Sequence, residues 1–158
     1  MDVDDLIRKL DLQPHPEGGW FRETWRGGPI ETPRGARTTS TAIYYLLPKH
    51  GWSAWHRVAS DEVWHHYRGA PAHLHLMRDD GRHDTILLGS DILNGQRPQA
   101  TVPAGVWQAT EPIDGWALFG CTVAPGFDFD DFELPQVAEL RALVPGAGSE
   151  LERFARRG

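Results

Sequence analysis

The segment Gly51–Gly69, GWSAWHRVASDEVWHHYRG, concentrates residues able to move protons. Side chains of a strand alternate between its two faces, so residue parity tells which of them share a space. The even-numbered residues here are Ala54, His56 and Val58, followed after a turn at Ser60-Asp61 by Glu62, Trp64 and His66. If that face is an interior, an imidazole, a carboxylate and an indole point into one space. A histidine titrates near neutrality, and a carboxylate beside it orients the ring and favours its charged form. Such a pair suits general acid–base catalysis. The next run, AHLHLM, puts His73 and His75 on one face and Leu74 and Leu76 on the other. The dyad is then His56 with Glu62, or His75 with an acid that the sequence does not place. Trp64, with Phe21 or Trp107, would give flat apolar walls for a ring-shaped ligand. Arg22 would meet a carboxylate or phosphate group on it.

The remaining reactive residue types read as structural. The chain holds eight His, seven Trp and a single Cys. A lone cysteine forms no internal disulfide and excludes a Cys-based zinc knuckle. Cys121 shares a strand face with Phe119 and Val123, which points to a buried, inert thiol. His15, His50 and His83 lie in loop-like contexts, whereas His65, His66, His73 and His75 stand between packing and pocket. Trp20, Trp25, Trp52, Trp55 and Trp116 read as core or interface filler. Asp128, Asp130, Asp131 and Glu133 alternate with Phe127, Phe129 and Phe132 and lack the glycine of a calcium loop. A solvated turn with buried rings is the expectation there.

The elements that must position these groups are mostly strands. In 158 residues, 40% hydrophobic and 24% charged, the composition is that of a globular chain able to bury a core. Short runs rich in aromatic and β-branched residues predict strands at Trp20–Arg26, Thr41–Leu47, Ser53–Val58, Glu62–Arg68 and Ala72–Met77. Others follow at Thr85–Leu88, Ala100–Val102, Val106–Ala109 and Trp116–Val123. Gly, Pro and Asp clusters separate them, as in a sandwich or barrel. Helices are expected only at the ends. Val3, Ile7 and Leu10 make an amphipathic stripe, as do Val137, Leu140 and Val144 after Pro135. Ser149 with Glu152 reads as a capping box opening a last helix that packs Leu151 and Phe154.

A net charge of −6 without a basic stripe argues against nucleic acid as a partner, and no basic face fits a membrane surface. No run approaches the ~20 apolar residues of a membrane span. The acidic start MDVDDLIRKLDLQ does not read as a signal peptide, so a cytoplasmic location is expected.

The spacing His56-x-Val58-x3-Glu62-x6-Gly69 resembles the first cupin motif, and Pro103-Ala104-Gly105-Val106-Trp107-Gln108 resembles the second. Within that superfamily the wording is similar to the DUF985, or cupin-5, family. The similar blocks are HPEGGWFRETWR, TSTAIYYLL, SAWHRVASDEVWHHY, VPAGVWQA and GCTVAPGFDFDDFEL, which run from His15 to Leu134.

The resemblance implies a mainly β, single-domain cupin of the double-stranded β-helix or jelly-roll type, spanning residues 1–158. It would have one N-terminal helix (1–14), a barrel (15–134) and two short C-terminal helices (135–158). It also implies a homodimer, with Trp20–Arg26 placed to pair with another subunit's sheet.

Two positions depart from the metal-binding pattern. Val58 stands where a second histidine is expected, and Gln108 stands at the histidine of the second motif. Valine donates nothing to a metal, and an amide oxygen is a poor ligand for the metals that imidazole suits. No cofactor is expected; a metal, if present, would be a divalent transition ion on His56, Glu62 and either Gln108 or a replacement such as His66 or His75.

The resemblance otherwise implies a small-molecule-binding protein acting as a metal-independent isomerase or epimerase. In it His56, Glu62 and His75 are the catalytic candidates. Phe21, Arg22, Trp64, His66, Trp107 and Gln108 are the ligand-binding ones. The alternatives are a metal-dependent dioxygenase or isomerase and a non-catalytic metabolite-binding or sensing module.

Overall fold

A computed structural model describes residues 1–156; residues 157 and 158, the end of the expected C-terminal helical segment, lie outside the described residues. Helix α1 (Val3–Leu10) starts where the Asp2 carboxylate accepts from the Asp5 backbone N–H at 2.8 Å. Acids in its first turn and bases in its last complement the helix dipole. Its apolar stripe seats Leu6 against Leu46 and Leu118.

The strands then follow in order. They are β1 (Gln13–Pro14), β2 (Trp20–Arg26), β3 (Pro29–Thr32), β4 (Gly35–Thr38), β5 (Thr41–Leu47) and β6 (Ser53–Val58). Next come β7 (Asp61–Gly69), β8 (Ala72–Met77), β9 (His83–Leu88) and β10 (Gln99–Val102). The last are β11 (Trp107–Pro112), β12 (Ala117–Ala124) and β13 (Phe132–Glu133), before α2 (Val137–Leu143) and α3 (Glu150–Arg153).

The strands build a six-stranded sheet, β1-β2-β5-β12-β7-β10, and a five-stranded sheet, β13-β6-β11-β8-β9. All ladders between these strands are antiparallel. Between the sheets lies a core that includes Tyr45, Leu47, Trp64, Leu74, Leu76 and Phe119. The mainly β barrel with terminal helices is therefore as the sequence predicts.

The other face of the five-stranded sheet is covered as well. Trp55, Met77 and Trp107 pack there against Leu140, Leu151 and Phe154 of the C-terminal segment. The indole N–H of Trp55 donates to the Glu150 carbonyl at 3.0 Å, and that of Trp52 to the Ala155 carbonyl at 2.9 Å. The C-terminal helices are thus a second layer on this sheet.

Three local expectations differ from the structure. The hairpin β3–β4 was not predicted, because its half-exposed residues carry no apolar alternation. Ser149 makes no side-chain cap; the Glu150 carboxylate instead accepts from the Gly148 N–H at 3.0 Å. Helix α2 begins at Val137 rather than Pro135, with Gln136 at the N-cap.

Candidate functional site

Strand parity brings His56 and Val58 of β6, Glu62 of β7 and Cys121 and Val123 of β12 to one cavity of about 240 Å³ between the sheets. That volume lies just below the roughly 300–1,000 Å³ of typical small-molecule pockets, a small-metabolite scale. Its floor is polar, with His15, Glu17, His56 and Glu62; its walls include Phe21, Ile43, Phe127, Phe129 and Phe132.

Glu17 reaches the floor from a turn. The His15 N–H donates to the Gly19 carbonyl, and the Gly18 N–H to the His15 carbonyl, both at 3.0 Å. Gly18 and Gly19 adopt φ of +106° and +74°, and a Cβ on Gly18 would lie 2.3 Å from the Trp52 carbonyl oxygen. Only glycine fits there. The turn is pinned from two sides: the Ala54 N–H donates to the Glu17 carbonyl at 2.7 Å, and the Tyr45 hydroxyl to the Gly18 carbonyl at 2.5 Å.

The consequence is a buried pair: His56 Nε2 lies 3.0 Å from Glu17 Oε2, with both side chains almost fully enclosed. His56 Nδ1 lies 2.7 Å from the Ala54 carbonyl oxygen, which only accepts, so Nδ1 carries a hydrogen. Burial opposes charge on His56, but the Glu17 carboxylate outweighs it and holds the imidazolium well above the usual histidine range. Burial likewise opposes ionisation of Glu17, and its interactions with His15 and His56 overcome it, His56 being the charged partner at neutral pH. The pair is therefore an imidazolium–carboxylate at neutral pH. Burial lowers His15, which stays neutral and accepts the Glu17 N–H at Nδ1 over 3.2 Å.

Glu62 behaves oppositely. The Trp64 indole N–H donates to Gln108 Oε1 at 2.9 Å, and Gln108 Nε2 donates to Glu62 Oε1 at 2.7 Å. An indole only donates, so this relay fixes the orientation of the Gln108 amide. Burial raises the Glu62 carboxyl to about 7, with Glu17 adding to the rise and His56 and Gln108 opposing it. Because Oε1 accepts from Gln108, the acid's proton belongs on Oε2.

At the mouth, Arg26 binds Glu23 through two hydrogen bonds of 2.8 and 2.9 Å. The wall segment carrying Phe127, Phe129 and Phe132 is held by Asp131, which accepts from Arg37 Nε at 2.8 Å and Nη2 at 2.9 Å. The β3–β4 hairpin thus anchors the aromatic wall.

Residues 4–135 match the sequence profile of Cupin_5, the Cupin superfamily (DUF985). The chain belongs to the Cupin_5 family. This cupin is 34% identical over 173 residues to the uncharacterized protein YML079W of Saccharomyces cerevisiae, an alignment covering 97% of this chain and 86% of the yeast one. It superposes with a TM-score of 0.91 on protein SO0799 of Shewanella oneidensis, at 34% identity, covering 100% of this chain and 99% of that one. A hypothetical protein from Leishmania major gives the same TM-score at 30% identity, covering 99% and 100% of the two chains.

In this cupin, His56, Glu62 and Phe21 of the sequence-predicted site line the cavity. Gln108 and Trp64 lie behind Glu62 as its hydrogen-bonded support. The other candidates are elsewhere. His75 and Trp107 face the C-terminal layer, because Leu74, Leu76 and Gln108 take the inner face of their strands. Arg22 is exposed next to α1, its Nη1 3.5 Å from the Leu10 carbonyl oxygen, since Phe21 takes the inward parity on β2. His66 donates to the Ala70 carbonyl at 2.8 Å beside Phe119, and it does not line the cavity.

Sequence reasoning missed Glu17 and Arg26 and read His15 and the Phe127–Phe132 rings as structural. Glu17 lies in a turn, where parity says nothing; the Glu-Gly-Gly run inside the HPEGGW block was the available signal. Arg26 has even parity on β2 like exposed Arg22, but a register shift between Glu23 and Trp25 alters the alternation.

A metal at the usual cupin position does not fit this donor set. Val58 has no donor, Gln108 spends its oxygen on Trp64 and its amide N–H on Glu62, and His56 is paired with Glu17.

Proposed function

We propose that the protein binds a small carbonyl- or sugar-like metabolite in this cavity and moves a proton on it without a metal, as isomerases and epimerases do. One observation carries the reading: a buried carboxyl that titrates near neutral pH shares a cavity with a fixed imidazolium. A group titrating near the working pH has both protonation states available for transfer.

Ionised Glu62 takes the proton from the carbon beside the ligand carbonyl. The electron pair of that C–H bond moves into the carbonyl and leaves an enolate. In an epimerisation the planar enolate turns over and the Glu62 acid returns the proton to its opposite face. In an isomerisation the acid protonates the former carbonyl carbon, while the hydroxyl proton of the carbon that lost its hydrogen passes to the enolate oxygen and a carbonyl forms there. His56 keeps its charge against Glu17 and stabilises the negative oxygen as it forms. Glu62 rather than His56 is the base, because both N–H groups of His56 are engaged, with Ala54 and Glu17. The phenylalanine walls make the cavity partly apolar, which strengthens these electrostatic effects.

The test is hydrogen exchange in D₂O, followed by NMR over a panel of keto acids, aldoses and ketoses. Wild-type protein is expected to exchange the hydrogen beside the carbonyl of at least one compound, and Glu62→Gln to lose that exchange by 100-fold or more, about the size of a general-base contribution. A compound that binds in the cavity, with no exchange from any panel member, would overturn the catalytic reading and leave a metabolite-binding module.

A further inference from the structure

We infer that the face of the five-stranded sheet turned away from the cavity carries a second site, in which His73, His75 and Glu111 bind a divalent transition-metal ion such as Zn²⁺. The register puts Ala109 opposite His75 and Glu111 opposite His73, so the three side chains stand together on neighbouring strands β8 and β11. One ligand atom from each lies within 4.8 Å of the other two. Glu111 Oε1 is 3.8 Å from both His73 Nδ1 and His75 Nε2. Two imidazoles and one carboxylate form a known catalytic-type zinc donor set, leaving a fourth position open. Donors 2.0–2.1 Å from a tetrahedral ion are about 3.3 Å apart, so the side chains need close by only about half an ångström at the two shorter separations.

The independent sign of a ligand is His75 itself. It is only 7% exposed, and its Nε2 has no hydrogen-bond partner. Its other nitrogen, Nδ1, lies 2.9 Å from His83 Nε2. If Nδ1 donates to His83, a bare lone pair remains on Nε2. If Nδ1 accepts, Nε2 carries a hydrogen with no acceptor within bonding distance. A buried polar atom without a partner is costly, and a bound cation satisfies the first arrangement.

His83 then acts as the orienting partner that metal-binding histidines commonly have. Its Nδ1 lies 3.8 Å from Glu150 Oε1, which extends the chain outward.

One neighbour competes. Arg153 Nη2 lies 2.5 Å from Glu111 Oε1 and its guanidinium rests 5.1 Å from the Phe154 ring, although the side chain is 61% exposed. Glu111 and Arg153 both line a surface depression of about 280 Å³, which gives an ion a route in. Arg153 is therefore expected to weaken metal binding while it occupies Glu111.

Calorimetric titration of untagged, chelator-stripped full-length protein with Zn²⁺ tests the site, with Co²⁺ absorption spectra reporting the geometry. One ion per chain is expected, with a tetrahedral Co²⁺ band. His73→Ala should weaken binding at least 10-fold; it is the most informative variant because His73 is half-exposed and its loss leaves the core intact. Arg153→Ala should tighten binding, and His83→Ala should weaken it 10–100-fold, as expected of an orienting partner. Glu62→Gln should leave binding unchanged, which separates this site from the cavity. No Zn²⁺ binding in the wild type, or binding unaffected by His73→Ala, would overturn the proposal.

Discussion

Two carboxylates that share a cavity with the same histidine titrate in opposite directions, and their neighbours account for the difference. Glu17 meets a cation at 3.0 Å, whereas Glu62 Oε1 meets only a neutral amide. Opposite charge at hydrogen-bond distance outweighs burial in the first case, and burial wins in the second. The difference has a thermodynamic signature. The folded-state value of Glu62 is raised from 4.5 to about 7, so the folded protein binds more protons than the unfolded chain between those values. Stability therefore falls as pH rises through that window. Ionising Glu62 in the folded protein costs on the order of 3 kcal/mol at higher pH. Glu62→Gln keeps the acceptor for Gln108 and cannot ionise. Denaturant titrations should show the variant gaining on wild type by roughly that amount from pH 4 to pH 8. Parallel curves would mean that Glu62 is not held neutral.

At the scale of elements, strands supply most of the cavity, but a turn and a wall segment give it its chemistry. The turn His15–Gly19 works only because Gly18 has no Cβ to strike the Trp52 carbonyl. Gly18→Ala, at φ +106°, is expected to destabilise the protein by more than about 1 kcal/mol and to draw Glu17 away from His56. The measurement that separates these effects is the His56 imidazole titration by NMR. Its midpoint should drop toward the ordinary histidine value in the variant, because the Glu17 carboxylate that chiefly opposes burial is then withdrawn. An unchanged midpoint in a folded variant would show that the turn does not position Glu17.

At the scale of the whole molecule, the central strands of the five-stranded sheet lie between the core and the C-terminal layer. The six-stranded sheet is more open. Strand β2 pairs with β5 on one side, but on its other side β1 pairs only with Trp20 and Phe21. Trp25, further along that strand, is 61% exposed. An unpaired edge carrying an exposed indole is a surface that chains cover by association. A homodimer formed along β2 is the expected assembly; light scattering should give twice the chain mass, and Trp25→Glu should shift it toward the monomer. A wild-type monomer would remove this expectation. Among the described residues, no helix is long and apolar enough to cross a membrane.

Strand positions, the terminal helices and the inward parity of His56, Glu62 and Trp64 were legible in the sequence, because period-2 alternation is a local property of the chain. The family was legible too, in blocks from His15 to Leu134. Parity divided His75 from Leu74 and Leu76 but could not say which face was inside. That depended on which side of the sheet the C-terminal helices cover, a contact between residues far apart in the chain. The same limit hid Glu17. Its role comes from a turn folded back against Trp52, Tyr45 and Ala54, and no periodicity marks such a turn. The local sequence thus determined the barrel and the inward histidine and glutamate. Long-range packing alone decided that His56 is paired, that Glu62 is left without a cation, and that His73, His75 and Glu111 meet on the far face.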